Sequence, residues 1–239
     1  MVVIAIVVAT VLGVSLVRRT FPQTAGQLAV SGLTANVTVL RDDRGVPQIY
    51  ADNPQDLFRA QGYVAAQDRF FEMDVRRHIT AGRLSEMIGK DGVQTDRVIR
   101  TMGWRKVAEA ELPTLAASSR QYLQAYADGV NAYIKKAGSP DKMALEYSVL
   151  GQRFPDYRVE PWSPADSLAW LKAMAWDLRG NYDNELTRAR LSGSITPARL
   201  AQVFPPYPIE THQPIISESR PAVMCLRTSI SKKRSCAAT

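Results

Sequence analysis

The sequence predicts an α+β chain, mainly helical, with a short β-hairpin near its N-terminal side. Three observations predict it. Two short β-prone runs, one holding Val37 and Val39 and the other Ile49, flank the turn sequence Asp42-Asp43-Arg44-Gly45. Several longer stretches repeat apolar residues at helical spacing. Those stretches begin or end at Asn53-Pro54, Gly82, Gly138-Ser139-Pro140 and Ser163-Pro164, which are capping and helix-breaking signals. The chain has 239 residues, enough for one large domain or two small ones, and its 46% hydrophobic content suffices for a buried core.

Taken in order, the first element is an almost unbroken apolar run from Val2 to Val17. As a helix it would reach about 24 Å at ~1.5 Å per residue, a little short of a hydrocarbon core of ~30 Å. Arg18 and Arg19 follow it and can snorkel to extend that reach. The run has no polar stripe, as a buried core helix usually would. A signal peptide carries its positive charge before the apolar stretch, and here the charge comes after. Charge alone would keep the following chain in the cytosol, but long domains translocate regardless of it. Residues 1–19 are therefore expected to be a membrane anchor or signal, with the body outside the cytoplasm. Residues 20–32 read as a linker.

The hairpin comes next, and Asn53 caps the helix that follows, with Pro54 at its start. From Gln55 to Thr80, Leu57, Phe58, Ala60, Val64, Ala65, Phe71 and Val75 form an apolar helical face that Gly82 ends. A second helical stretch runs from Ala108 to Ala137, broken at Pro113. Ser163-Pro164-Ala165-Asp166 is a strong helix start, and that helix continues through Trp170 and Met174. A last helical segment covers Asn184 to Leu191, and Pro197 to Leu200 begins a short turn. Phe204-Pro205-Pro206-Tyr207-Pro208 cannot continue a helix. Residues 33–210 thus form the folded domain, and 211–239 read as a linker or an unrelated, disordered tail.

Charge excludes one function class. The net charge is +7, but seven of the 30 Lys and Arg residues sit at the ends: Arg18, Arg19, Arg220, Arg227, Lys232, Lys233 and Arg234. The remaining 23 face 23 Asp and Glu. A nucleic-acid-binding face needs clustered cations on a folded surface, so no nucleic-acid partner is expected. Cys225 and Cys236 both lie in the basic tail, and His78 and His212 are far apart, so zinc-site spacing is missing.

Four segments carry more specific information. They are Arg41 to Ala51, with Asp42-Asp43-Arg44-Gly45-Val46-Pro47; Gly62 to Asp74, with Gln67-Asp68-Arg69-Phe70-Phe71-Glu72-Met73-Asp74, continuing through Gly82-Arg83-Leu84-Ser85-Glu86; Tyr126-Ala127-Asp128-Gly129-Val130-Asn131-Ala132-Tyr133; and Trp176-Asp177-Leu178-Arg179-Gly180-Asn181 through Glu185-Leu186. In this order, over residues 33–210, they resemble the α chain of penicillin acylases and of their acyl-homoserine-lactone and lipopeptide acylase relatives. The family has His where this chain has Gln48, a small departure.

The resemblance implies one part of a four-layer αββα N-terminal-nucleophile hydrolase. Such enzymes are made as one precursor that cuts itself into α and β chains. The new β-chain N-terminal serine attacks the amide carbonyl, and its own α-amine, whose pKa is near neutral, serves as the base. The oxyanion donors also belong to the β chain. No serine in this chain opens the Ser-Asn-x-Trp-like strand of that nucleophile, so no catalytic residue is expected here. A Ser-His-Asp triad has no better support, because His78 continues a helix and His212 lies in a Pro-rich loop.

By the same resemblance Glu185 binds a structural calcium whose other ligands come from the β chain; its plain alternative is a solvated helix-start carboxylate beside Asp183. Met174, Leu178 and Arg179, with Trp176, align with the stretch that closes over the substrate's acyl group; their plain alternative is core packing at helical spacing. Asp68 and Arg69 are expected in buried ion pairing. The expected partners are the β chain, an acyl amide substrate and, through the N-terminus, a membrane. A non-catalytic, membrane-anchored remnant is the competing reading.

Overall fold

A computed structural model describes residues 1–212. Cys225, Cys236 and the tail serines lie outside the described residues. The described chain has two compact units, one ending at Arg179 and one beginning at Gly180. In order the elements are α1 (Val2–Arg18), β1 (Thr38–Arg41), β2 (Pro47–Tyr50), α2 (Pro54–Ala81), α3 (Ser85–Ile88), α4 (Val93–Met102), α5 (Trp104–Glu111), α6 (Ala117–Ala137), α7 (Glu146–Arg153), α8 (Pro164–Asp177), α9 (Tyr182–Leu191) and α10 (Pro197–Val203). The expectation of a mainly helical chain with a short hairpin holds.

The apolar N-terminal run does form a helix, α1, and Val2, Ile4, Leu12 and Val17 all face solvent. Its 17 residues fall short of a crossing: among the described residues no helix is long and apolar enough to span a membrane. Arg19, just past its end, pairs with Asp141 at 3.0 Å and donates to Ser148 Oγ at 3.2 Å, tying the base of α1 to the body.

The hairpin is antiparallel, with Val39 opposite Ile49 and Leu40 opposite Gln48. Its turn is closed by the Asp42 carboxylate, which accepts from the Arg44 and Val46 amides at 3.0 and 2.8 Å. Helix α2 begins as the sequence signals: the Asn53 side chain accepts from the Asp56 amide at 2.8 Å. It ends at Gly82, whose φ of +65° is the left-handed conformation that glycine adopts without steric cost. Buried Asp56 then accepts from the Thr34 hydroxyl (2.7 Å), the Thr34 amide (3.0 Å) and the Ala35 amide (3.0 Å), fixing the strap before β1 onto the first turn of α2.

Helices α2 and α6 are the centre of the first unit. Phe58 stacks on Tyr122, Gly62 meets Tyr126 and Phe70 meets Tyr133, so the two helices run parallel. Two glycines set their separation. A Cβ on Gly62 would collide with the Tyr126 carbonyl, and one on Gly129 with the Arg59 carbonyl. The main core lies between these helices and the segment after them: Tyr63, Ala66, Phe70, Ala127, Val130, Tyr133, Met143, Tyr147 and Trp162. Arg59 pairs with Asp128 at 2.8 Å at its edge.

Two details differ from expectation. Asp68 and Arg69 are exposed rather than buried. Asp68 takes a two-pronged pair with Arg41 at 2.7 and 2.9 Å, joining the hairpin to α2, whereas Arg69 turns outward where α2 kinks (φ −146°, ψ 29°) and reaches Glu72. The helical stretch expected from Ala108 starts four residues earlier, at Trp104, directly after Gly103 (φ +71°). Pro113 ends α5 through a short 3₁₀ turn, and α6 begins at Ala117.

Candidate functional site

Helix α8 places the residues singled out for substrate contact. Its start is a capping box: the Ser163 amide and hydroxyl both donate to Asp166 Oδ2, at 2.6 and 2.8 Å, and Arg105 pairs with the same carboxylate. Ala165, Leu168, Ala169 and Ala173 form its buried face. Leu168 and Ala169 pack with Ala108; Ala173 packs with Ile99 and Trp104.

The opposite side carries Leu171, Met174 and Leu178, spaced three and four apart and therefore in one line. They are 57%, 36% and 75% exposed. Met174 and Leu178 are thus not core residues of this chain. Leu178 ends the helix, its amide donating to the Met174 carbonyl at 3.0 Å. Arg179 folds back: its guanidinium sits 3.7 Å from the Trp176 ring centre and donates to the Trp176 carbonyl at 2.7 Å. Trp176 in turn lies against Trp104, ring centres 6.3 Å apart. The structure therefore brings Met174, Leu178, Trp176 and Arg179 to one helix end.

Glu185 belongs to the second unit. It is exposed in the first turn of α9 and lies 3.9 Å from Arg188. Among the described residues there is no group of three or more His, Cys, Asp or Glu able to hold a metal. Glu185 offers one carboxylate, and Arg188 competes with a cation for it; further oxygens must come from elsewhere for a calcium ion, which takes six to eight.

One heavily engaged side chain of the first unit is a residue that sequence reasoning did not single out. Asp74 is fully buried on α2. It accepts from the Tyr147 hydroxyl at 2.6 Å, from Tyr157, and from Arg77, also buried. Arg77 further donates to the Glu160 and Pro161 carbonyls at 2.9 and 3.1 Å, pinning the approach to α8. The His78 Nδ1 lies 2.7 Å from the Asp74 carbonyl oxygen and 3.4 Å from its carboxylate. Burial alone would raise the Asp74 pKa. The hydrogen bonds from His78, the Arg77 charge and the two tyrosines outweigh it and hold the group at about 2. The same carboxylate pushes both tyrosine hydroxyls up, adding to the effect of their burial. This is a rigid framework, not a reacting group. Its sequence signals were its place at the end of the Gly62 to Asp74 motif and the Asp74–Arg77 spacing of three.

Between α2, α6 and α8 lies an open groove of about 700 Å³, walled by Phe58, Tyr122, Leu123 and Trp170. Arg76 sits over the Trp170 ring at 4.2 Å. Nothing in the sequence located it, because its walls come from three helices distant in the chain.

Comparison with known proteins places the whole arrangement. The family model described as penicillin amidase matches residues 36–235. The chain belongs to the penicillin amidase family. Among penicillin amidase relatives, it is 37% identical over 153 residues to penicillin acylase 2 proenzyme of a Pseudomonas species (64% of this chain, 19% of that protein). It is 32% identical over 189 residues to acyl-homoserine lactone acylase QuiP of Pseudomonas aeruginosa (79% and 22%). With penicillin G acylase of Escherichia coli it shares 36% over 135 residues (56% and 15%). The chain therefore spans about a fifth of the length of these relatives. In three dimensions it resembles the thermostable penicillin G acylase of Alcaligenes faecalis, with a TM-score of 0.56 and 26% identity, covering 80% of this chain and 98% of that one.

Proposed function

We propose that this chain is the α-chain portion of an amide hydrolase that removes the acyl group from a linear amide of penicillin, acyl-homoserine-lactone or lipopeptide type. The observation that carries the reading is the pair of coverages: a fifth of the full-length acylases, yet 98% of one chain of a solved penicillin G acylase. That extent supports reading this chain as the front part of a precursor processed into two chains. The rest, a β chain headed by a serine, supplies the nucleophile, the amine base and the oxyanion donors, and with this chain completes the four-layer αββα fold.

In this reading the present chain frames the acyl pocket. Met174 and Leu178 offer apolar surface at the end of α8, and Arg179, held against Trp176, steers a polar part of the substrate. Glu185 supplies one oxygen ligand to a structural calcium shared with the β chain. Helix α1, apolar on all sides and followed by Arg18 and Arg19, is the segment that directs or tethers the body at the cell envelope, outside the cytoplasm.

Co-expression with the serine-headed region encoded downstream tests the reading. Cleavage of a chromogenic acyl amide by the assembled pair, and none by this chain alone, is the expected result. No cleavage by an assembled, correctly processed pair would leave the remnant reading standing. Protease treatment of intact cells tests the location: a body protected from external protease, in cells with an opened outer envelope, counts against it.

A further inference from the structure

We propose that the outer face of α7 rests in the headgroup layer of an anionic phospholipid membrane. The proposal rests on the reading of α1 as the membrane-directed segment, and adds where the body meets the lipid.

Arg19 fixes the distance. An apolar helix that enters lipid leaves it where its charges begin, at the headgroups. For α1 that point is Arg18 and Arg19. Arg19 pairs with Asp141 at 3.0 Å and donates to Ser148 Oγ at 3.2 Å. Asp141 lies in the turn before α7, and Ser148 lies on α7 itself. With α1 in lipid, α7 is therefore held within one arginine side chain of the membrane surface.

The two sides of α7 suit that place. Tyr147 and Leu150 pack inward against the main core. Leu145 and Val149, four apart on the other side, are 41% and 66% exposed. Arg153 continues their line one turn later, and Lys142 stands just before it; both are exposed. Apolar side chains flanked by cations on long apolar stems are the pattern of a segment lying in the membrane interface.

Charge favours the same partner. Arg18 and Arg19 stand at the base of α1, and Lys135 and Lys136 at the end of α6. With Lys142, Arg153 and Arg158 around α7 they make seven cations, and the carboxylates among them are Asp141, Glu146 and Asp156. The neighbouring cluster of Arg83 with Glu86 and Glu160 removes one of the four positive charges left. Lys90 and Asp91 follow Gly89, which lies against Phe154, and cancel each other. Three positive charges remain. A zwitterionic surface gives α7 the apolar contact alone, whereas an anionic one adds the attraction of these cations.

The test places the full 239-residue chain in vesicles of phosphatidylglycerol and phosphatidylcholine brominated on the upper acyl chain, and reads tryptophan quenching. Leu12→Trp, at an exposed position of α1, reports whether α1 is in lipid, and Val149→Trp reports α7. Each is read above the quenching of the four native tryptophans. Both are expected to be quenched. Lys142→Glu combined with Arg153→Glu should at least halve the quenching of Val149→Trp, with the circular dichroism spectrum retained and Leu12→Trp unchanged. Replacing phosphatidylglycerol by phosphatidylcholine should do the same without altering the protein. A quenched Leu12→Trp beside a silent Val149→Trp would overturn the proposal and leave the membrane reading of α1 standing. Silence at both positions would remove that reading and the proposal with it. Shielding of Val149→Trp from iodide before vesicles are added would mean that another polypeptide covers α7, and would also overturn the proposal.

Discussion

The Arg77 guanidinium donates to the Asp74 carboxylate one helical turn before it, and both side chains are sealed from solvent. A buried pair of this kind contributes little relative to a well-packed apolar pair, but breaking it is costly because the surviving charge stays buried. Asp74→Ala is expected to destabilise the chain by about 3–5 kcal/mol, since Arg77 and two tyrosine hydroxyls lose their acceptor together. Urea unfolding measures it. A loss below about 1 kcal/mol would show that the site relaxes and readmits water.

Acid sensitivity follows from the same carboxylate. Thr34 hydrogen bonds bring Asp56 to about 2, and the His78, Arg77 and tyrosine contacts bring Asp74 to about 2 against its burial. Both are depressed from an ordinary value of 3.8. A depressed carboxylate stabilises the fold above its unfolded pKa, and that contribution is lost as the pH falls from about 4 through about 2. For Asp74 it amounts to about 2 kcal/mol at ~1.36 kcal/mol per pKa unit. Stability profiles between pH 5 and 2 should fall steeply for the parent chain and less steeply for Asp74→Asn.

Helix spacing gives a sharper contrast. Gly62→Ala and Gly129→Ala force a methyl group into a facing backbone carbonyl, and each should cost about 2 kcal/mol or more. Gly151→Ala, on α7 with nothing within 4 Å of the new carbon, should stabilise by about 0.5–1 kcal/mol. Thermal melts of the three variants would test the ordering; a neutral Gly62→Ala contradicts the close parallel approach.

The end of α8 should separate stability from function. Met174→Ala and Leu178→Ala remove exposed apolar surface, so stability should move by less than about 0.5 kcal/mol. In the assembled enzyme the same variants should raise KM for the acyl amide several-fold with little change in kcat. Unaltered kinetics in both would remove these residues from the pocket.

Glu185→Gln tests the calcium role. In the isolated chain an exposed α9 carboxylate should be replaceable at a cost below about 0.5 kcal/mol. In the assembled enzyme, calcium should stop raising the melting temperature of the variant while still raising that of the parent. An equal calcium effect in both would leave Glu185 as an ordinary helix-start residue.

Much of the fold is legible in the sequence where a local device marks it. Asn53 and Gly82 bracket α2, Asp42 closes the hairpin turn, and Ser163 with Asp166 starts α8; each works within a few residues of itself. Residues 83–107 carried no comparable signal, and α3, α4 and the start of α5 went unread there, because short helices of this kind are held by tertiary contacts such as Ile99 and Trp104 against Ala173. Of the candidate site, the motif residues of α8 and α9 were singled out by resemblance; the exposure of Glu185 was among the readings weighed, whereas that of Met174 and Leu178 was not. Asp74 was visible as part of a motif but not as a hub, since Tyr147 and Tyr157 reach it from more than seventy residues away. Ion pairing of Asp68 was expected, but its partner, Arg41, comes from the hairpin rather than from the helix, and the pair lies at the surface rather than in the core.

The parallel arrangement of α2 and α6 has a consequence for synthesis. Gly62 finds its groove against Tyr126, 64 positions later, so no short hairpin loop can bring the two helices together. At translation rates of about 5–20 residues per second, α2 emerges several seconds before the surface that covers it exists. During that interval Phe70 and Tyr63 are open to other nascent or unfolded chains, and production of this protein is expected to depend on holding factors that occupy α2 until α6 arrives.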